Sequence, residues 1–244
     1  PGFFGVEFYF QPENGKFYDK LCPAPVTPKY LIKESEVKEA RKHEALYTPR
    51  THSLLSGALL TLTFGFWSGV QLLLTIFRPK MRPAISNAFA HMNKNSRLSI
   101  ENTSIEAREN DLQIGFTIDE MTTRVEGLLR GIGLVQDFAP IIYIIAHGSS
   151  SANNPHHGAH DCGACSGRPG SVNAKVISFM ANHFGVRNKL RENGLDIPAD
   201  TQFVGAMHDT AADEIQFYDE DVLYEKNAIR HRENKIKFEN ALDL

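Results

Sequence analysis

The stretch from His147 to Cys165, HGSSSANNPHHGAHDCGAC, packs four histidines and two cysteines into nineteen residues. Imidazole and thiolate in one segment suit a borderline-soft ion, zinc above others. The C-x-x-C pair Cys162–Cys165 admits three readings. A structural zinc knuckle wants a second Cys or His pair at comparable spacing, and the remaining cysteine, Cys22, lies far off in the chain. A thioredoxin-like redox pair opens a helix directly after a strand, whereas this pair sits inside a Gly-rich loop. In the third reading one cysteine and His147 belong to a mononuclear site completed from elsewhere. His156, His157 and His160 read as solvated loop residues or as donors that orient a ligand. Gly163, Gly167 and Gly170 run up to a helix start, where free N–H groups suit a small anion. The G-x-x-x-x-G-K-[ST] phosphate loop is absent.

These residues need elements to hold them. APIIYIIAHGS is a continuous apolar run, which reads as a central parallel strand buried on both faces. In open α/β sheets ligands sit at the carboxyl ends of strands. His147 falls at that end of one strand, and His208 and Asp209 at that end of another, QFVGAM. TIDEMTTRVEGLLRGIGL predicts a helix with Thr117 as N-cap and Glu120 at capping-box spacing. SVNAKVISFMANHFG predicts a helix capped by Ser171, NKLRENG a further turn or two ended by Gly194, and DVLYEKNAIRHRENKIKFENAL a long charged helix. Residues 1–30, rich in aromatics, Pro and Gly, read as a strand or two followed by irregular chain. IKESEVKEARKHEALY predicts a charged helix with an i,i+4 pair Glu34–Lys38. His43, His52, His91, His183 and His231 carry no assigned chemistry.

Between Arg50 and Arg78 no acidic or basic residue occurs apart from His52. Buried helices turning near Gly65 fit that stretch. A surface docking on a membrane or membrane protein fits it too, and its length alone permits a span. The organisation expected is an N-terminal segment over 1–110 with the charged helix and the apolar helical insertion, an α/β zinc-site domain over 111–215, and a C-terminal helix over 216–244. The 244 residues carry a formal net charge of −3, 42% hydrophobic and 23% charged residues. That composition describes an ordinary globular chain with no basic face for nucleic acid. Three cysteines fit a reducing compartment better than a disulfide framework. The opening PGFFGVEFYF, without methionine or signal-peptide pattern, reads as the start of a piece of a longer protein.

The run AHGSSSANNPHHGAHDCGACSGRPGSVNAKV, followed by VRNKLRENGLDIPADTQFVGAMHDTAADE, resembles the DabA family, soluble subunits of two-component inorganic carbon transporters. GFFGV near the start and LCPAPVTPKYLIKE at Leu21–Glu34 fit as well, so the resemblance spans essentially the whole chain. The family is in turn similar to β-carbonic anhydrases at its metal site. The implied fold is α/β: a parallel-sheet, β-carbonic-anhydrase-like half domain with a helical, apolar insertion. The resemblance implies Zn2+ as cofactor, with His147 as imidazole ligand and Cys162, followed directly by Gly163, as thiolate ligand. It gives Cys165 no ligand role. The family's other motif, C-x-D-x-R, is not found in these residues, and Cys22 does not replace it; the stretch is then the His and Cys half of a tetrahedral site.

Zinc lowers the pKa of bound water to about 7. The resemblance thus implies directional hydration of CO2 to bicarbonate, on the cytoplasmic face of the cell inner membrane as a peripheral subunit. The implied partner is a membrane cation-antiporter-like subunit of DabB type. Two other functions remain open: a free-standing β-type carbonic anhydrase, and a scaffold whose zinc is structural. Whether the chain is itself an enzyme stays open at this point.

Overall fold

The computed structural model describes residues 3–13, 15–35, 65–67, 69–70, 73, 92, 96–104, 106–149 and 161–242. The chain forms two compact units, residues 1–36 with 86–244, and residues 37–85. In the smaller unit the described residues are helical, and Phe66, Trp67 and Leu73 are exposed. The helix expected there is present at these positions, but their side chains are not core. No helix among the described residues is long and apolar enough to cross a membrane.

The larger unit is mixed α/β with two sheets. The first is built from β1 (Tyr9–Gln11), β2 (Asp19–Lys20), β3 (Tyr30–Ser35), β4 (Arg97–Leu98), β5 (Arg108–Glu109) and β6 (Leu112–Ile114). Its order is β2-β1-β3-β6-β5, with β4 also on β3. β3 pairs in parallel with both β1 and β6. This corrects the helix expected from Ile32: Ile32–Ser35 is strand, and residues 36–47 lie outside those described. The i,i+4 charge spacing was a local signal, and tertiary pairing overrode it. Leu31 and Ile32 are fully buried between two strands, while the Glu34 carboxylate is 6% exposed and accepts from Glu13 N at 3.1 Å. Residues 97–114 supply β4, β5 and β6.

Helix α1 (Ile118–Gly131) starts as its sequence dictates. Glu120 N donates to Thr117 Oγ1 at 3.3 Å, and Thr117 N donates to Glu120 Oε2 at 2.8 Å. Both orphan donors are thus satisfied reciprocally. Burial opposes ionisation of Glu120, but hydrogen bonds from Thr117, Gln113 and Tyr30 outweigh it and hold the carboxyl below its ordinary pKa. Thr117→Ala is expected to lower stability by about 1 kcal/mol, read as a drop in thermal midpoint; an unchanged midpoint would show that the cap is energetically idle.

The second sheet has the order β7-β8-β9, from β7 (Ile141–Gly148), β8 (Gln202–Asp209) and β9 (Glu214–Phe217). β7 and β8 are parallel in unbroken register from Ile141↔Gln202 to Gly148↔Asp209, and β9 returns antiparallel. The parallel pair matches expectation. The position of β7 does not, because β8 is the central strand and β7 is an edge of the described sheet. β9 was not read from the sequence.

Helices α2 (Ser171–Asn182) and α3 (Phe184–Glu192) lie between β7 and β8 in the chain. The N-cap of α2 is Gly170, and Ser171 is its first helical residue rather than its cap. α2 is buried along almost its whole length, against β8 and the core of Phe8, Phe10, Ile144 and Met207. Its approach to β8 depends on Gly205: a Cβ there would lie 2.8 Å from Ala174 O. Helix α4 (Glu225–Leu242) closes the other face of the sheet. His231 is the anchor there, 3% exposed, with Nδ1 3.0 Å from Tyr143 Oη and Nε2 3.0 Å from Glu220 Oε1. Phe238 stacks edge-on against Tyr143 at 5.1 Å.

Candidate functional site

Strand alternation sets the site. On β7, Ile144 and Ala146 enter the main core, while Tyr143 and Ile145 face the cluster of Val204, Ala206 and Phe217. His147 follows in that second series, half-buried at the carboxyl end, and pairs in register with His208. His208 Nε2 lies 2.8 Å from Asp213 Oδ1 across the hairpin turn. Asp209 is wholly buried and its Oδ1 accepts from Ala211 N and Ala212 N at 2.9 and 3.2 Å. It shapes the turn into β9 rather than facing a ligand with that oxygen.

Residues 150–160, with His156, His157 and His160, lie outside those described. The chain resumes at Asp161, whose Oδ1 accepts from Ser149 N at 2.9 Å and ties the loop's return to the end of β7. A second tie is Gly170 N to His147 O, 3.0 Å. Between these ties sits a knuckle. Cys165 N and Gly167 N donate to Cys162 O at 2.9 and 3.1 Å, and Cys162 N donates to Arg168 O at 3.2 Å. Ser166, at φ 56°, and Gly167, at φ 72°, turn the chain through the left-handed region, where glycine costs least.

Cys162 is 1% exposed, Cys22 and Cys165 are fully buried, and all three are thiols without a disulfide. The Cys165 thiol is pushed far above the ordinary cysteine range, first by its hydrogen bond with the Cys162 side chain, then by burial, with Cys22 also contributing. Burial likewise raises Cys22. The fold brings the Cys22 backbone to the knuckle, which its sequence distance concealed. Ser166 Oγ adds a direct link, donating to Cys22 O at 2.7 Å.

Asn173 was also missed. Its side chain is fully buried, with Nδ2 donating to Val6 O at 3.0 Å and to Leu21 O at 3.1 Å. Its Oδ1 accepts from Cys165 Sγ at 3.6 Å. One amide thus joins the knuckle, α2 and the N-terminal segment, and no sequence motif marks such a role. Asn173→Ala is expected to cost about 3 kcal/mol, because two buried carbonyls lose their donor. Equilibrium denaturation reads that loss, and a change below about 0.5 kcal/mol would show that the carbonyls find other donors.

His147 stands near the tip of β7, Cys162 lies in the loop tied back to that tip through Gly170 and Asp161, and both are donor types that zinc takes. No group of three or more His, Cys, Asp or Glu side chains able to hold a metal occurs among the described residues. His147 belongs to one face of β7, while Cys162 packs with the core on the other.

Fold and edge together define a mixed α/β protein with a histidine at the carboxyl end of a parallel strand pair and a cysteine knuckle in the loop that follows it. The family model for the probable inorganic carbon transporter subunit DabA matches residues 1–244, and the chain belongs to that family. The subunit of that name from Azotobacter vinelandii is 53% identical over 244 residues, all of this chain and 29% of its own length. That from Nitrosospira multiformis is 52% identical over 246 residues, all of this chain and 27% of its own. One from Methylococcus capsulatus is 35% identical over 238 residues, 89% of this chain and 22% of its own. The chain thus spans less than a third of the length of these curated relatives. No solved structure matches.

Proposed function

We propose that this chain is part of a subunit of an energy-coupled inorganic carbon pump, carrying half of a zinc site at which CO2 is hydrated directionally to bicarbonate. The observation that carries the reading is the family match over every residue. The relatives are named as subunits, which supports action within a complex. Its partner in this reading is a membrane cation-antiporter-like subunit of DabB type, and its place the cytoplasmic face of the inner membrane. The larger unit is then a β-carbonic-anhydrase-like half domain.

His147 and Cys162 are its two zinc ligands on this chain. When bound, zinc supplies a Lewis acid that makes hydroxide available near neutral pH. Asp161 and Gly170 fix the loop that carries Cys162 against the end of β7. Burial of Cys162 keeps bulk water from the sulfur and limits its oxidation. Exposed apolar residues in the smaller unit, Phe66, Trp67 and Leu73, give the membrane partner a surface to meet.

The test compares the full-length protein alone, the membrane subunit alone, and both together, in cells that need high CO2. Growth in air and accumulation of labelled inorganic carbon only with both together supports the pump subunit. Robust CO2 hydration by the isolated full-length protein would favour a free-standing carbonic anhydrase instead.

A further inference from the structure

We infer that the N-terminus of α2 is a buried binding site for a small oxyanion, held by the backbone N–H groups of Ser171, Val172 and Asn173 and by the Ser171 hydroxyl. A helix leaves its first N–H groups without intrahelical partners, and they need a cap, water or a ligand. α1 meets that need with Thr117 and Glu120. α2 does not: its N-cap is Gly170, which makes no side-chain cap, and its first turn holds no acidic residue. Ala174 N donates to Gly170 O at 3.1 Å and closes the first turn, but the N–H groups of Ser171, Val172 and Asn173 meet no acceptor among the described residues. α3 also starts without a side-chain cap, yet its first residue, Phe184, is 78% exposed and open to water. At α2 the same positions are sealed, with Ser171 1% exposed and Val172 and Asn173 fully buried.

The Ser171 hydroxyl is a second and independent sign. Its Oγ is buried and has no hydrogen-bond partner among the described residues, and a buried polar group left so is costly. Ser171 is the first helical residue, so its hydroxyl branches from the turn that carries the three orphan donors. The Tyr218 hydroxyl stands near it, close enough to offset part of the rise that burial gives the Tyr218 pKa. Helix start and hydroxyls together form a donor-rich pocket.

The pocket is poor in acceptors. His147 O accepts from Gly170 N, Cys162 O from Cys165 N and Gly167 N, and Arg168 O from Cys162 N. Asp161 Oδ1 is taken by Ser149 N. Water must donate as well as accept, whereas an oxyanion only accepts and carries the charge that the positive end of a twelve-residue helix favours. Bicarbonate and inorganic phosphate share this chemistry. The Gly170–His147 bond places the site beside the carboxyl end of the parallel pair, which favours bicarbonate. That choice of anion rests on the inorganic-carbon reading; the oxyanion site does not.

Thermal unfolding of the full-length protein at fixed pH and ionic strength tests it, with bicarbonate or phosphate titrated against chloride. A ligand that binds the folded state raises the midpoint saturably. Bicarbonate is expected to do so, and Ser171→Ala to weaken its apparent affinity about tenfold or more. Ser171→Asp places a carboxylate at the helix start, where the dipole favours it, and is expected to fold and to lose the response. The response is expected to persist in His147→Ala, which separates it from anion held on a metal. Saturation by phosphate and not by bicarbonate supports the oxyanion site and counts against the inorganic-carbon reading. No response above chloride in the parent, or an unchanged response in both Ser171 variants, would overturn the site. A response lost in His147→Ala but intact in Ser171→Ala overturns it in favour of the metal.

Discussion

Cys162→Ser and His147→Ala, each made in the full-length protein, are expected to reduce bound zinc from about one ion per chain to a small fraction of that. A hydroxyl is a poor substitute for thiolate at a site of this softness, and alanine offers no donor at all. Growth in air that depends on the complete transporter should fail in both variants. Cys165→Ser separates ligation from packing: its sulfur bonds with Cys162 and approaches Asn173 Oδ1 at 3.6 Å, so zinc is expected to stay while stability falls. Elemental analysis of purified, folded protein reads all three. Full zinc in the Cys162 and His147 variants would sink the ligand assignment. Zinc lost only in the Cys165 variant would move the site into the knuckle and favour a structural ion.

Gly205→Ala is expected to bring a large loss of stability from a single methyl group. The added Cβ would lie 2.8 Å from Ala174 O, 3.0 Å from Ala174 C and 3.1 Å from Lys175 Cα. All three are backbone atoms of α2, and α2 is buried along almost its whole length, so no flexible side chain can give way. Overpacking of this kind costs about 1–3 kcal/mol, and the rigid neighbours place this case at about 3 kcal/mol. Gly127→Ala is the internal contrast. It sits in α1 with nothing within 4 Å of the new Cβ, so helix propensity alone predicts a gain of about 0.5–1 kcal/mol. Denaturant midpoints measured side by side decide the matter. Equal midpoints for Gly205→Ala and the parent would mean that α2 and β8 are not in close contact.

The capping box at Thr117 was legible because its hydrogen bonds join residues three apart. The apolar run of β7 and the period of α2 and α4 were legible for the same reason, since each depends on near neighbours. The reading failed where distant chain decided. Tyr30–Ser35 joined a sheet against its helix-like charge spacing, because β1 and β6 lie on either side of it. β7 reads as a central strand yet stands at an edge. Ser171 lost the capping position to Gly170, where the chain is also held by His147 O.

The sequence by itself determined the types of donor available to a metal, the family, the parallel β7–β8 pair and the placement of His147 at its carboxyl end. Those follow from residue chemistry and from periods of two and 3.6. Only the tertiary structure decided that Cys22 joins Cys162 and Cys165, that Asn173 holds Val6 and Leu21 to the knuckle, and that Asp161 ties the loop to Ser149. Each of these depends on contacts between residues far apart in the chain or across a loop. Such contacts are selected by the packing of a whole core, to which no local pattern has access.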